Sequence, residues 1–298
     1  MSDTVVALPL GTRDYFGIFK PRIAAMIALT ALGGAAISPS AAISPWPIAL
    51  TVIAVFLAAG SAGAFNQWAE ADLDAQMART AARPFASGQL VPGPGWLAGI
   101  FALLAFAVGI AAIAANGWAA FYTFMGAFTY AVVYTLWLKR RTWTNIIVGG
   151  AAGSFAVLAG AAAVTPILGP EAILLSVVLF LWTPPHFWSL AIAVDQDYRS
   201  NHVPMLPALI GNRRCAWVIL AHTLPLSIIA LLPAWYGMGY IYLAGALLGG
   251  ALFTATSIVL VLQPTKRRAI QNFLASLLQL LLLLSGAVID GWLVGSVL

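Results

Sequence analysis

The stretch PGWLAGIFALLAFAVGIAAIAA, residues 94–115, contains no charged side chain and is long enough to cross a bilayer as one helix. A transmembrane helix needs about 20 mostly apolar residues. Nine stretches, numbered here as spans 1 to 9, meet this requirement: 23–42, 47–68, 94–115, 117–138, 143–164, 172–194, 216–236, 240–262 and 269–296. Because the runs are long and continuous, they favour helices over a barrel of short alternating strands. The sequence predicts an all-α polytopic membrane protein.

The composition supports this fold class. Of 298 residues, 62% are hydrophobic and 8% are charged. A soluble domain carries about 25% charged residues, so these values exclude a water-solvated globule, and the apolar content excludes disorder. The single cysteine, Cys215, cannot form an intrachain disulfide. The first residues lack both a signal-peptide pattern and an Arg- and Ser-rich transit pattern, which favours a bacterial plasma membrane.

The basic residues predict the orientation of the chain. With nine spans, all 14 Lys and Arg residues fall on the side of the N-terminus, before span 1 or in the loops after spans 2, 4, 6 and 8. The positive-inside rule places this side in the cytoplasm and the C-terminus outside. The topology explains the net charge of +5, so we expect no nucleic-acid partner. We expect one integral-membrane domain over 1–298, with a cytoplasmic segment at 1–20 and acidic loops at about 66–93 and 195–215.

An acidic group follows span 2 in the string NQWAEADLDAQMARTAARP, residues 66–84. Asn66, Glu70 and Asp74 are four residues apart, so on a helix they form one polar stripe, whereas Asp72 points to another face. Oxygen ligands in this pattern suit Mg²⁺, which commonly binds through one or two carboxylates together with substrate phosphates. An ordinary solvated helix end with surface ion pairs is the alternative. Carboxylates at a membrane boundary favour the functional interpretation.

Basic side chains near this stripe could bind phosphate oxygens. Arg79 and Arg83 follow the stripe directly and are four residues apart. Tyr134, Lys139 and Arg140 lie at the cytoplasmic end of span 4. Lys139 and Arg140 could equally be anchors at the membrane surface, as could Lys20 and Arg22 before span 1.

A second acidic group, Asp195 and Asp197, follows span 6. On a straight helix these two side chains diverge, and we expect Asp197 to face the site because Tyr198 and Arg199 follow it on the loop side. His186 lies at membrane depth in span 6, where a histidine is more often a structural side chain than a ligand. His202 follows in the loop, and we expect His222 in span 7 to be structural.

Four strings of the sequence carry a resemblance to a known family. They are DYFGIFKPR (14–22), NQWAEADLDAQMARTAARP (66–84), YTLWLKRRTWTNIIVGGAAGS (134–154) and WTPPHFWSLAIAVDQDYRSNHVPMLP (182–207). In this order they resemble the heme O synthases (protoheme IX farnesyltransferases), a branch of the UbiA superfamily of intramembrane prenyltransferases. The resemblance implies nine transmembrane helices around a central cavity.

The resemblance also implies an activity, farnesyl transfer from farnesyl diphosphate to a vinyl group of heme b, with addition of water to give heme O. The implied catalytic and Mg²⁺-binding residues are Asn66, Glu70, Asp74 and Asp197. The implied diphosphate contacts are Tyr134, Arg79, Arg83, Lys139 and Arg140. His186 and His202 are the implied candidates for the heme iron, and Arg22 for a heme propionate.

The sequence departs from the superfamily pattern at one point. The second acidic motif commonly has two Asp residues four apart, whereas the residue four before Asp197 is Ala193. Whether this group supplies one metal contact or two therefore stays open. The resemblance also leaves open a contact with heme A synthase or with terminal-oxidase assembly, in addition to the surrounding membrane lipid.

Two other functions remain as alternatives at this point. A relative in the same superfamily could prenylate an aromatic acid or a quinone precursor. A multi-pass cation transporter could use the acidic stripe as a transport site, but such sites normally lie near the bilayer midplane. The acids here cluster at helix ends, which favours the prenyltransferase.

Overall fold

A computed structural model describes residues 11–38 and 44–297, with side chains described through Leu293. Within these residues all regular structure is helical. The α-helices are α1 Thr12–Ile18, α2 Pro21–Ile37, α3 Pro45–Ala69, α4 Ala71–Gln76, α5 Pro94–Ala114, α6 Gly117–Phe128, α7 Asn145–Gly149, α8 Ala151–Val164, α9 Pro170–Ala193, α10 Asp195–Ser200, α11 Leu206–Ile210, α12 Asn212–Ile229, α13 Tyr240–Leu262 and α14 Lys266–Val297. A π-helix, Thr129–Leu138, continues α6, and a 3₁₀-helix, Leu232–Tyr236, follows α12.

The predicted nine spans agree with these helices. Eight segments of the described chain are long and apolar enough to cross a membrane as single spans, and a bent pair supplies a ninth. That pair is α1 and α2, whose axes meet at 47°. The predicted end of span 1, residues 39–42, lies outside the described residues, as do residues 1–10 of the predicted N-terminal segment. The all-α prediction is confirmed.

Several helices begin earlier than the hydrophobic pattern indicates. Helix α12 begins at Asn212 instead of 216, and α14 begins at Lys266 instead of 269. Both early turns contain basic residues. A hydropathy pattern leaves charged residues out of a predicted span. The helix itself can begin with them, because its first turn lies outside the hydrocarbon, where a charged side chain stays in water.

Glycines allow the closest helix contacts. A Cβ atom on Gly160 would lie 1.7 Å from the carbonyl oxygen of Ala31, and one on Gly34 would lie 2.1 Å from that of Val157. A larger residue at either position would overlap the facing backbone. Helices α2 and α8 therefore pack with their backbones in close contact. Small residues at helix interfaces are the usual means of tight packing in membranes. This packing fixes α2, and with it the chain segment that enters the candidate site.

Candidate active site

The polar stripe predicted after span 2 is present, but it does not lie on one helix. Asn66 is in the last turn of α3, Glu70 is the capping residue between α3 and α4, and Asp74 is in α4. The helical pattern of backbone hydrogen bonds, from an N–H to the carbonyl four residues earlier, continues through the break. Glu70 N donates to Asn66 O at 3.1 Å, and Asp74 N donates to Glu70 O at 2.8 Å. The three side chains therefore keep their alignment. Each residue is at most 3% exposed, so the alternative of a solvated helix end is wrong.

Each member of the stripe contacts a cation from a different part of the chain. Lys139 Nζ donates to Glu70 Oε2 at 2.5 Å, and the Arg83 guanidinium donates to Asp74 Oδ2 at 2.5 Å. Lys20 Nζ donates to the Asn66 side-chain oxygen at 2.5 Å. Buried ion pairs of this kind need close geometry, because each charge has lost its water. The acids thus lie in a site that already holds three basic side chains.

Lys20 reaches Asn66 through an unusual backbone conformation. It lies between α1 and α2 with φ 49° and is followed by Pro21 at the first position of α2. A left-handed conformation is rare for a residue with a side chain, and it persists only where the surroundings fix it. A Cβ on Gly63 of α3 would lie 3.4 Å from the Lys20 side chain, an ordinary van der Waals distance, so Lys20 packs directly along α3. Sequence reasoning left Lys20 undecided between a surface anchor and a substrate contact.

The π-helix explains how span 4 supplies several contacts at once. A π-helix has a wider turn than an α-helix, and π segments occur frequently at functional sites. Tyr130, Thr135 and Lys139 are spaced five and four residues apart. Thr135 and Lys139 contact the stripe, and Tyr130 contacts Lys20 beside it. The Lys20 ammonium donates to the Tyr130 hydroxyl at 3.2 Å, and the Asn66 amide nitrogen donates to Thr135 Oγ1 at 3.0 Å. Sequence reasoning missed Tyr130 and Thr135, and this spacing is the one signal that could have indicated them.

Tyr134 lies on the same π-helix and packs beside Lys139. Its ring stacks on that of Tyr130 at 5.6 Å and 11°, and Lys139 Nζ lies 5.8 Å from its centroid. A Cβ on Gly149 would lie 2.9 Å from the Tyr134 ring, so the glycine makes room for it. The tyrosine pair forms an aromatic wall next to two of the three cations.

Asp72 points away from the stripe, as predicted, and it pairs with Arg140. The Arg140 guanidinium donates to both carboxylate oxygens of Asp72, at 2.7 and 2.9 Å. The Asp72 side chain is 61% exposed, and its hydrogen bond with Arg140 lowers the pKa of this carboxyl. Arg140 thus lies in an exposed ion pair outside the buried stripe, and its contact with diphosphate stays a prediction.

The second acidic group is in α10, directly after α9. Asp195 Oδ2 accepts a hydrogen bond from Arg199 Nε at 2.8 Å, while its other oxygen is buried without a partner. The Asp197 carboxylate makes no hydrogen bond or ion pair with any residue that the structure describes. Of the two, Asp197 is the carboxylate left available, which favours the choice made from the sequence.

The segments that carry the two acidic groups contact each other. Asn201 Nδ2 donates to the Gln76 carbonyl at 3.4 Å, and Leu73 and Met77 pack in one apolar cluster with Ala193 and other residues of α9 and its loop. Burial raises the pKa of the Tyr198 hydroxyl, and the adjacent Arg79 guanidinium opposes this rise. Arg79, which follows the first acidic group, therefore lies near Tyr198 of the second.

The described residues contain no group of three or more His, Cys, Asp or Glu side chains arranged to hold a metal ion. The oxygen chemistry of the stripe nevertheless fits a hard divalent cation. Glu70 Oε1 is buried without a hydrogen-bond partner, which is costly unless something pairs with it. An amide oxygen, this carboxylate oxygen and substrate phosphate oxygens would together form a suitable set.

The predicted heme contacts differ in burial. Arg22 and His202 are exposed, and His202 has φ 54°. His186 is buried between the rings of Trp182 and Phe273, at 4.1 and 4.4 Å. Its Nδ1 hydrogen-bonds with Ser276 Oγ at 2.7 Å. His222 hydrogen-bonds with the Val218 carbonyl of its own helix, in keeping with the structural role expected for it.

The packing of His186 predicts a structural role rather than iron ligation. His186→Ala removes a ring packed between two aromatic side chains, and we expect it to destabilise the fold by about 2–4 kcal/mol. We expect binding of hemin to change less than twofold. Thermal unfolding in detergent and a hemin titration by absorbance measure the two effects. If hemin bound tenfold more weakly to a variant of unchanged melting temperature, His186 would belong to the porphyrin site.

The sequence matches a known protein family over most of its length. Residues 27–283 match the model of the UbiA prenyltransferase family. The chain belongs to this family. A relative in Paramagnetospirillum magneticum named protoheme IX farnesyltransferase 2 is 50% identical over 93% of this chain and 96% of its own. One in Gluconacetobacter diazotrophicus, named protoheme IX farnesyltransferase, is 38% identical over 95% of this chain and 92% of its own.

Solved structures of UbiA proteins have the same fold. A digeranylgeranylglyceryl phosphate synthase superposes with a TM-score of 0.77 at 16% identity, over 94% of this chain and 98% of that one. A UbiA homologue from Archaeoglobus fulgidus, bound to DMAPP and Mg²⁺, superposes with a TM-score of 0.70 at 14% identity, over 96% of this chain and 100% of that one. The predicted UbiA-type fold is confirmed.

Proposed function

We propose that this protein transfers the farnesyl group of farnesyl diphosphate to a vinyl group of heme b, with addition of water, and so forms heme O. The buried stripe of Asn66, Glu70 and Asp74 is the main structural support for prenyl transfer, because each of its side chains contacts a basic residue. Relatives that are 38–50% identical over nearly their whole length support farnesyl diphosphate and heme b as substrates.

Asn66, Glu70, Asp74 and Asp197 are the residues proposed to hold Mg²⁺. The unpartnered oxygen of Glu70 and the unengaged carboxylate of Asp197 support this set. When bound, Mg²⁺ neutralises charge on the diphosphate leaving group. The Archaeoglobus fulgidus homologue that was solved with DMAPP and Mg²⁺ supports the choice of metal.

Arg79, Arg83 and Lys139 are the residues proposed to bind the diphosphate oxygens. Fixed cations stabilise a developing negative charge more strongly in a water-poor site than in water. They favour cleavage of the bond between the farnesyl carbon and the diphosphate oxygen, with the electron pair leaving on the diphosphate. Tyr134, which packs against Lys139, keeps that ammonium in position.

The farnesyl cation then reacts with the acceptor. A vinyl carbon of heme b bonds to it, which leaves positive charge on the carbon next to the porphyrin. Water adds to that carbon and releases a proton, giving the hydroxyethylfarnesyl group. The apolar cluster around Leu73, Met77 and Ile146 excludes bulk water from one side of the site and limits early quenching of the cation.

The membrane orientation is also part of the proposal. The protein is an integral membrane protein, and the described residues contain up to nine candidate membrane spans. All 14 basic residues lie before residue 23, in the loops after even-numbered spans, or in the first turns of the helices that follow those loops. We therefore place this side in the cytoplasm of a bacterial inner membrane, with the C-terminus outside. Both acidic groups then face the cytoplasmic boundary.

A product assay tests the proposal. The purified protein in liposomes, supplied with heme b, farnesyl diphosphate and Mg²⁺, is expected to form heme O, detected by mass spectrometry. A parallel reaction replaces heme b with 4-hydroxybenzoate. Prenylated 4-hydroxybenzoate without heme O would contradict the proposed acceptor but retain prenyl transfer. Absence of both products, from a protein that instead carries a cation flux in liposomes, would favour the transporter alternative.

A further inference from the structure

A cleft of about 360 Å³ opens beside the acidic stripe, along α1 and the start of α2. Its lining includes Arg13, Asp14, Lys20, Gln67 and Arg83. Two of these residues, Lys20 and Arg83, also contact the stripe, at Asn66 and Asp74 respectively. The cleft is therefore an extension of the site rather than a separate pocket.

The wall formed by α1 is held in place by α3. Gln67 Nε2 donates to the backbone carbonyls of Gly17 and Ile18, each at 3.1 Å. Gln67 is 3% exposed and Ile18 is fully buried. These buried contacts fix the C-terminal end of α1 against α3, while the residues from Thr12 to Gly17 are exposed beside the cleft.

The charge of the lining favours an anionic ligand. Three basic side chains face one acidic side chain, Asp14, which already accepts a hydrogen bond from the Gly11 backbone N–H at 3.0 Å. Lys20 and Arg83 already have polar partners in the stripe. Arg13 is exposed and makes no ion pair within the described part of the chain. Its guanidinium is thus available for a carboxylate, which it can bind through two parallel hydrogen bonds.

We infer that this cleft binds the propionate carboxylates of the acceptor porphyrin, with Arg13 as the direct contact; this rests on the proposed function. A volume of about 360 Å³ is near the lower limit of small-molecule pockets, so it suits the carboxylate edge of the ring rather than the complete macrocycle. Arg22, the contact implied by the resemblance, is exposed and does not line the cleft. Anchoring the propionates fixes which edge of the ring faces the farnesyl group.

Two variants and two probes test the inference. Arg13→Gln is the test variant, and Arg22→Gln is its matched control, since it removes the same charge from an exposed arginine that does not line the cleft. The probes are hemin and hemin dimethyl ester, whose propionates are masked, each titrated by absorbance into the full-length protein. We expect Arg13→Gln to weaken hemin binding about tenfold, which corresponds to about 1.4 kcal/mol. Binding of the ester to this variant, and of hemin to Arg22→Gln, should change less than twofold.

The outcomes separate this inference from the proposed function. Equal weakening of hemin and its ester by Arg13→Gln, or no weakening of either, would overturn the cleft assignment even if the wild-type protein makes heme O. A tenfold loss in Arg22→Gln instead would move the contact to Arg22. If the wild-type protein neither bound hemin nor converted heme b, the proposed acceptor itself would be wrong. An unchanged KM for farnesyl diphosphate in Arg13→Gln is further support.

Discussion

Asp74→Asn is expected to lower the rate of farnesyl transfer by about 100- to 1,000-fold, the usual cost of removing one electrostatic group from an active site. Asp74 is 3% exposed and accepts a hydrogen bond from Arg83. An asparagine retains an oxygen that can accept this bond, so the variant should insert and fold. What it loses is the negative charge that would bind a cation. The measurement is kcat for heme O formation, together with thermal unfolding of the same preparation.

Asp72→Asn is the matched control for this variant. Asp72 lies two residues away on the same short helix, but its side chain is 61% exposed and pairs with Arg140. Exposed pairs contribute about 1 kcal/mol or less, so we expect near wild-type turnover and stability. Full activity of Asp74→Asn at ordinary Mg²⁺ would remove Asp74 from the proposed metal site. An equal loss in both variants would mean that the charge of the whole segment matters, not the position of one carboxylate.

The sequence alone was sufficient for the spans and for the alignment of the stripe. A span is a local property of about 20 residues, so its hydrophobicity identifies it without knowledge of its neighbours. The four-residue spacing of Asn66, Glu70 and Asp74 likewise survived, although the helix breaks at Glu70. The domain limits and the site roles stay predictions, because neither the contacts nor the comparisons test them.

The partners of the acids could not be obtained from the sequence. Lys139 lies 69 residues from Glu70, and Lys20 lies 46 residues from Asn66. Which basic side chain meets which acid depends on the packing of separate helices and on the π-helix, whose wider turn no hydropathy pattern reveals. The same reason explains Arg140, which adjoins Lys139 in sequence but contacts Asp72 on the exposed side. Two adjacent residues at the end of a helix can therefore make contacts on different sides of it.

Lys139→Met is expected to lower both stability and activity. Lys139 and Glu70 are 13% and 2% exposed at their side chains, so the variant leaves a buried carboxylate without its cation. Breaking a buried pair in this way costs about 3–5 kcal/mol. It also removes a proposed diphosphate contact, so kcat should fall independently of folding. Thermal unfolding in detergent and initial rates of heme O formation measure the two effects separately.

The double variant Lys139→Met, Glu70→Gln separates the structural role of the pair from its proposed catalytic role. Glutamine keeps a side-chain oxygen for the Asn66 amide, which donates to Glu70 Oε2 at 2.6 Å, but carries no charge. With both charges absent, no ion is left unpaired in the interior, and we expect most of the lost stability to return. Activity should not recover, because the carboxylate and the ammonium are both needed once diphosphate is bound. Recovery of turnover together with stability would mean that the pair only holds helices together, and the proposed diphosphate site would then lose Lys139.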